Sequence, residues 1–413
     1  MSERLYKSNV YIKECDSVVT AVPKPDQIVL DSTLFFPEGG GQPADSGTIN
    51  GIPIVHVFEQ NGEVIHQLAL PVDGSNDKAP LLLPGSPVHC VLDWERRFDH
   101  MQRHCGEHIL SGIFFRVLGG VNRGFHMGDD YMTIDIDVPS ITPETAARIE
   151  LEANQVIWSD APVTTRCFSS REEAVGLPLR KEMELEKDIT VVSVGSEQEP
   201  ADCVACCGTH PSSAGQVGIV KILKIENHKG MIRVYFEAGK RAYLDYARKH
   251  DISVNLMDKY SADIRTLPGR LLTQEEKNSV IRQEYHKFRE LLMDREADLL
   301  SEEIAAPDGD DAMDSRIVAR EYDCFTSEDL QILAKKISAR GAQLFILIST
   351  AERTLVLCTG NAAPKGKFDC GKLVRELAVP IGGKGGGNAS MARVAFPSFD
   401  EIDRFINAVV DLS

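Results

Sequence analysis

No long apolar run occurs in this sequence. The densest, Leu344 to Ile348, is only strand length, far short of the roughly 20 apolar residues of a membrane-spanning helix. The opening MSERLYKSNVYIKEC lacks the apolar core of a secretory signal, so the expectation is a cytoplasmic protein with no membrane partner. Positive charge is also scarce. Against 62 Asp and Glu stand 45 Lys and Arg, a formal net charge of −17. That balance argues against a broadly basic nucleic-acid binder, because phosphate contacts need a positive footprint. Any RNA must be met by local patches. Ten cysteines in 413 residues are too few for a disulfide scaffold. Internal repeats and low-complexity tracts are missing. So is a GxxxxGK[ST] loop; Gly360 to Phe368 comes near but is one residue too long and lacks the Ser or Thr. A nucleotide-driven NTPase is therefore disfavoured.

What is present is a chain that is 43% hydrophobic and 26% charged, long enough for roughly two to four globular domains. The composition and element order predict an α+β multidomain protein. Residues 1–93 alternate as short strands, and Asn50-Gly51 and Asn61-Gly62 are hairpin turn signals, so a small β-barrel is expected there. Residues 94–248 read as an α+β domain. Arg97 to Leu118 carries apolar residues at helical steps and stops at Gly119-Gly120; Thr142-Pro143 opens a second helix running to about Trp158. Tyr131 to Val138 alternates as a strand, and further strands follow Ile189, with Asn227 to Gly230 as a hairpin turn. Residues 249–308 form a helical linker. Within it Ile281, Tyr285, Phe288, Leu292 and Leu299 to Ile304 mark one apolar stripe on a charged helix that Pro307-Asp-Gly ends. Residues 309–413 alternate helix and strand as a C-terminal α/β domain, with Ser398 capping the last helix.

Four elements carry chemistry. His104 and His108 stand four apart on the first helix, which puts both imidazoles on one face, as two ligands of one metal require. A metalloprotease would need Glu directly after the first His, and Cys105 is there instead. Cys206 and His210, in Cys203-Val-Ala-Cys206-Cys207-Gly208-Thr209-His210, repeat the spacing as a thiolate–imidazole zinc pair. A redox pair of Cys203 and Cys206, or plain buried cysteines, are the other readings of that segment. The two pairs together make a tetrahedral N/S set, without deciding between a structural and a catalytic zinc. Gly39, Gly40 and Gly41, inside Pro37-Glu-Gly-Gly-Gly-Gln42-Pro43, suit a loop that a ligand approaches closely. The run Gly382-Gly-Lys384-Gly-Gly-Gly-Asn388 suits an anion-cradling nest.

GGGQP, HxxxH, CCGTH and GGKGGG, in this order from about Val29 to Phe396, resemble the alanyl-tRNA editing family: the long-form AlaX and animal Aarsd proteins. The first three are similar to the editing domain of alanyl-tRNA synthetase and the last to its C-terminal domain. The resemblance takes up nearly the whole of this sequence, so no aminoacylation domain is expected. The resemblance implies a zinc-dependent trans-editing deacylase that hydrolyses mischarged Ser-tRNA(Ala), with Gly-tRNA(Ala) as a further substrate. It places zinc on His104, His108, Cys206 and His210. Cys207 departs from the family, standing where many members have Gly. Thr33 and Gln42, with Gly39 to Gly41, would line the site. A pocket that hydrogen-bonds the serine hydroxyl can reject alanine by ~10⁴ to 10⁵. For mischarged tRNA(Ala), the implied partner, Arg103, Arg123, Lys367 and Lys384 lead the phosphate candidates. Arg96, Arg97, Lys221, Lys224, Arg241, Lys365 and Lys372 complete them. A monomer or homodimer is expected. The alternative is a non-catalytic, zinc-stabilised tRNA-binding protein.

Overall fold

The computed structural model describes residues 2–69, 82–182, 186–305, 317–339, 342–361, 363 and 367–412. The chain divides into two compact units, Met1–Leu256 and Met257–Ser413. The helix stop predicted at residues 307–309 and the cation Lys365 lie outside the described residues.

The first unit begins with β1 (Glu3–Arg4), α1 (Leu5–Ser8), β2 (Glu14–Lys24), β3 (Gln27–Leu30) and β4 (Ser32–Thr33). There follow β5 (Gly47–Ile49), β6 (Ile52–Gln60), β7 (Glu63–Leu68) and β8 (Pro87–Leu92). Strands β2, β3, β7, β6, β5 and β8 close, in that order, into a barrel. The two Asn-Gly pairs take left-handed conformations, with φ of 50° and 79° at Asn50 and Gly51 and of 53° and 82° at Asn61 and Gly62. Such turns match the twist of the β5–β6 and β6–β7 hairpins. Ile28, Leu30, Phe35, Ile49, Val57, Val64 and Cys90 fill the barrel.

Helix α2 (Trp94–Leu118) starts at Asp93, whose side chain accepts from the Arg96 N–H, and ends at Gly119 with φ 67°. Strands β9 (Asn122–Met127) and β10 (Met132–Ile136) follow, then α3 (Pro143–Trp158) with Thr142 as cap and Pro143 at its first position. Next come β11 (Val163–Ser170), β12 (Lys187–Gly195), β13 (Pro200–Ala205), β14 (Val220–His228), β15 (Met231–Ala238) and α4 (Gly239–Tyr260). One sheet runs β14-β15-β10-β9, another β11-β12-β13. Cys105, Ile109, Ile113 and Phe114 of α2 share a core with Ile134, Val234 and Phe236 of the first sheet and Val194 of the second. Helix α2 is thus held between the sheets, which sets the azimuth of its histidines. A buried guanidinium anchors its first turn: Arg97 pairs with Asp45 and donates to the carbonyls of Val10 and Leu34. Breaking such a pair costs about 3–5 kcal/mol.

In the second unit α5 (Leu267–Ala305) precedes β16 (Ile317–Tyr322), α6 (Ser327–Ile337), β17 (Leu344–Ser349), β18 (Thr354–Thr359), α7 (Cys370–Leu373), β19 (Lys384–Gly387), β20 (Met391–Ala395) and α8 (Phe399–Val410). The sheet order is β16-β17-β18-β20-β19, with only β16–β17 parallel. The apolar stripe of α5 is not continuous in its burial. Ile281, Tyr285 and Phe288 are exposed, whereas Met293, Ala297 and Leu300 pack into the core with Leu330 and Leu333 of α6. The nest expected at GGKGGG is corrected: Lys384–Gly387 is an edge strand paired to β20. Its glycines serve close backbone approach, since a Cβ at Gly385 would stand 2.0 Å from the Arg393 carbonyl oxygen and one at Gly387 2.2 Å from that of Met391.

Candidate metal centre

Helix α2 presents His104 and His108 one turn apart, with ring centroids separated by 5.0 Å. The chain leaving β13 carries Cys206 and His210 back across them, so His210 stands 4.6 Å from His104 and 4.8 Å from His108 between centroids. One ligand atom from each of the four lies within 4.8 Å of all the others. Cys206 Sγ is 3.5 Å from His104 Nε2 and 3.8 Å from His210 Nε2. Zinc–sulfur and zinc–nitrogen bonds of about 2.3 and 2.0–2.1 Å at a tetrahedral angle would separate S and N by about 3.6 Å. The spacing fits.

Hydrogen bonds set which imidazole nitrogen is free. Asp202 Oδ2 lies 2.8 Å from His108 Nδ1, and a carboxylate only accepts, so Nδ1 carries a proton and Nε2 is the nitrogen left for a metal. That Nε2 is buried with no partner, as a ligand atom awaiting a metal would be. Gln42 Oε1 accepts from the Thr209 N–H at 3.0 Å, which orients the amide and makes the 2.9 Å contact to His104 Nδ1 a second donated proton. The Gln42 amide then donates to Thr209 Oγ1 at 2.8 Å. Such supporting partners orient ligands and raise their basicity. Asp202 is held in turn by Arg180, whose Nε is 2.6 Å from Oδ1.

Electrostatics agree with a thiolate among imidazoles. Burial raises the Cys206 thiol, but His104, His210 and His108 outweigh it and hold it well below the usual thiol range. Burial lowers His108, yet Cys206 and Asp202 bring it well above its ordinary value. Burial takes His210 down to about 4 despite Cys206. Gly208 is required by space: a Cβ there would sit 2.3 Å from His104 Cε1 and 2.8 Å from Gln42 Oε1.

The cluster opens into a cleft of about 360 Å³, which Gly40, Glu107, Asn122, Arg123, Phe125, Arg180 and Cys207 also line. Phe125 stacks on His104 at 5.6 Å between centroids, and a Cβ at Gly41 (φ 81°) would meet Phe125 Cδ1 at 2.6 Å. The glycine loop is thus pressed against one wall of the site, with Gly39 and Gln42 bridged backbone to backbone.

Two residues expected to line the site are buried and are not among those lining the cleft. Gln42 is buried against His104 and Thr209. Thr33 is fully buried, and its Oγ1 is 2.8 Å from His66 Nε2. His66 Nδ1 faces the Ile28 carbonyl oxygen, so Nε2 must accept and Thr33 must donate. The Phe35 N–H donates to the same hydroxyl, which leaves little capacity for a serine. The phosphate candidates divide. Arg97 and Arg103 are corrected as phosphate contacts: both are buried, paired with Asp45 and Glu237, because an unpaired guanidinium in the core would be prohibitive. Arg241 is partly buried against Asp99, and Arg96 donates to the Ala44 carbonyl. Lys221 and Lys224 pair with Glu150 and Glu226. Arg123 lines the cleft, half exposed beside Asp137; Lys367, Lys372 and Lys384 are exposed. Cys203 points into a small core with Val191 and has its thiol raised by burial, which disfavours a redox role. Sequence reasoning missed Asp202, Arg180, Glu107 and Phe125, which follow no spacing rule and meet the cluster only through β13, the segment before β12, α2 and β9.

Comparison with known proteins accords with this layout. Residues 189–235 match the family described as the threonyl and alanyl tRNA synthetase second additional domain, and residues 314–412 match the DHHA1 domain. The alanyl-tRNA editing protein AlaX-L of Pyrococcus horikoshii is 28% identical across 95% of this chain and 94% of its own length. The alanyl-tRNA editing protein Aarsd1 of Rattus norvegicus is 36% identical across 54% of this chain. The alanine--tRNA ligase of Methanoregula boonei is 28% identical across 92% of it. The chain spans 52% of the rat protein and 40% of the ligase.

Proposed function

We propose that this relative of the alanyl-tRNA editing proteins is a zinc-dependent aminoacyl-tRNA deacylase that acts in trans on Ser-tRNA(Ala). The observation that carries the reading is the His104–His108–Cys206–His210 cluster, with the tautomers of His104 and His108 set by Gln42 and Asp202, at the floor of a cleft walled by the glycine loop. The matched domains and the near full-length likeness to AlaX-L support it.

When bound to these four side chains, zinc supplies a Lewis acid for the ester carbonyl. The chain's own groups do the rest. Gln42 and Asp202 keep the Nδ1 protons on His104 and His108. Phe125 stacks on the His104 ring and holds its orientation. Arg123, Lys7 and Lys181 line the cleft and bring positive charge to phosphates of the acceptor end, within a chain that is acidic overall. Lys367 and Lys384 extend that role in the C-terminal domain. Residues 1–93 would be the barrel, 94–248 the editing domain, 249–308 the linker and 309–413 the tRNA-binding domain, acting in the cytoplasm. Preference for serine over alanine would come from a polar partner for the hydroxyl, which an alanyl ester leaves unpaired.

Single-turnover hydrolysis of Ser-tRNA(Ala) beside Ala-tRNA(Ala), for wild type and Cys206→Ala with zinc content measured, tests this. Fast loss of the seryl ester, sparing of the alanyl ester and collapse in the variant are expected. An intact seryl ester with fully zinc-loaded wild type would refute the activity and leave a tRNA-binding protein.

A further inference from the structure

Glu107 is a buried carboxylate that the proposed hydrolysis leaves without a task. It precedes His108 on α2, is only 4% exposed, and lines the same cleft as the four-residue cluster. Its Oε1 accepts from Ser111 Oγ at 2.6 Å and from Asn122 Nδ2 at 2.8 Å. No described group donates a hydrogen bond to Oε2. The nearest cation among the described residues is Arg180, whose Nη2 stands 4.0 Å from Oε1, beyond hydrogen-bond reach. Arg180 is already committed to Asp202 at 2.6 Å. Two buried carboxylates therefore share one guanidinium, and the one facing the cleft is incompletely paired. Oε2 is not among the buried unpartnered atoms, so it is open to the cleft, where a cationic group can reach it and form a charge-assisted hydrogen bond.

We propose that Glu107 binds the α-ammonium group of the aminoacyl ester. The inference rests on the deacylase reading. In an aminoacyl ester the cation nearest the scissile carbonyl is that ammonium, on the adjacent carbon, and Glu107 adjoins the residues that would hold the metal. Lys7, Arg123 and Lys181 line the cleft with the opposite charge, which suits phosphate. Seryl and alanyl esters both carry the ammonium, so Glu107 does not choose between them. It selects free aminoacyl esters over N-acylated ones and would exclude peptidyl-tRNA.

The test compares single-turnover hydrolysis of Ser-tRNA(Ala) with that of N-acetyl-Ser-tRNA(Ala), using zinc-loaded wild type, Glu107→Gln and Glu107→Asp. For wild type, kcat/KM should fall ~10- to 100-fold on acetylation, the worth of a hydrogen bond to a charged group. In Glu107→Gln the two esters should become equivalent, at the wild-type rate for the acetylated one, and Glu107→Asp should recover part of the preference. Four results overturn the proposal: equal cleavage of both esters by wild type, which needs no variant; a preference retained in Glu107→Gln; an equal loss of rate on both esters in Glu107→Gln, which marks a proton-transfer or structural role; and cleavage of neither ester by wild type, with which the deacylase reading falls as well.

Discussion

Asp202 Oδ2 accepts a hydrogen bond from His108 Nδ1 at 2.8 Å, which fixes a proton there and leaves Nε2 as the nitrogen a metal could take. The contact spans 94 positions of sequence. It suits a helix histidine to metal binding through Nε2, because the other nitrogen is committed to the carboxylate. Asp202→Asn keeps the volume and removes the charge. Zinc affinity should drop about 10- to 100-fold, the usual cost of losing such a partner. Competition against a chelating indicator, on protein whose circular dichroism is unchanged, reads this out. Equal affinity in both proteins would mean that the Asp202 charge has no part in holding the metal.

Gly208 offers a purely steric probe. A methyl group there must displace either the His104 ring or the Gln42 carbonyl that orients it. A shift near 1 Å at a reacting site can cost ~10²-fold in rate, so Gly208→Ala should slow seryl-ester hydrolysis by about that factor and weaken zinc binding. Gly269→Ala, with nothing within 4 Å of the added carbon, is the control and should change neither. A fully active Gly208→Ala protein would show that the His104 position tolerates movement.

The Thr33–His66 pair predicts an acid-sensitive barrel. Burial lowers His66 to about 4, below its unfolded value of about 6.5. Between those two values the unfolded chain takes up a proton that the folded chain refuses, so stability is lost as pH falls from 6.5 toward 4. The loss due to His66 should be about 2 kcal/mol between pH 7.5 and 5. Urea unfolding at the two pH values, for wild type and His66→Gln, measures it. Comparing the two proteins cancels the acid release of metal common to both. If the pH dependence is the same in each, His66 is not the group responsible.

Much of the local structure is legible in the sequence because it is encoded within a few residues. The Asn-Gly turns, the Thr142-Pro143 helix start and the Gly119 stop each rest on a backbone preference that neighbours do not override. His104 and His108 share a helix face by spacing alone. The GGKGGG run was harder, since glycine permits both a phosphate nest and a strand pressed against another backbone. Only the position of β20 decides between them.

The candidate ligand types, their two four-residue spacings and the turns and caps that begin and end the elements are set by the chain alone. These follow from side-chain chemistry and backbone propensity, which act over a few positions. Tertiary structure alone decided that the two pairs meet, that Asp202 and Gln42 choose the histidine tautomers, and that Arg97 and Arg103 turn inward to Asp45 and Glu237. Those contacts join residues from 52 to 134 positions apart. Charge pairing in a buried, low-dielectric setting depends on which groups the fold brings together, and no local pattern carries that information.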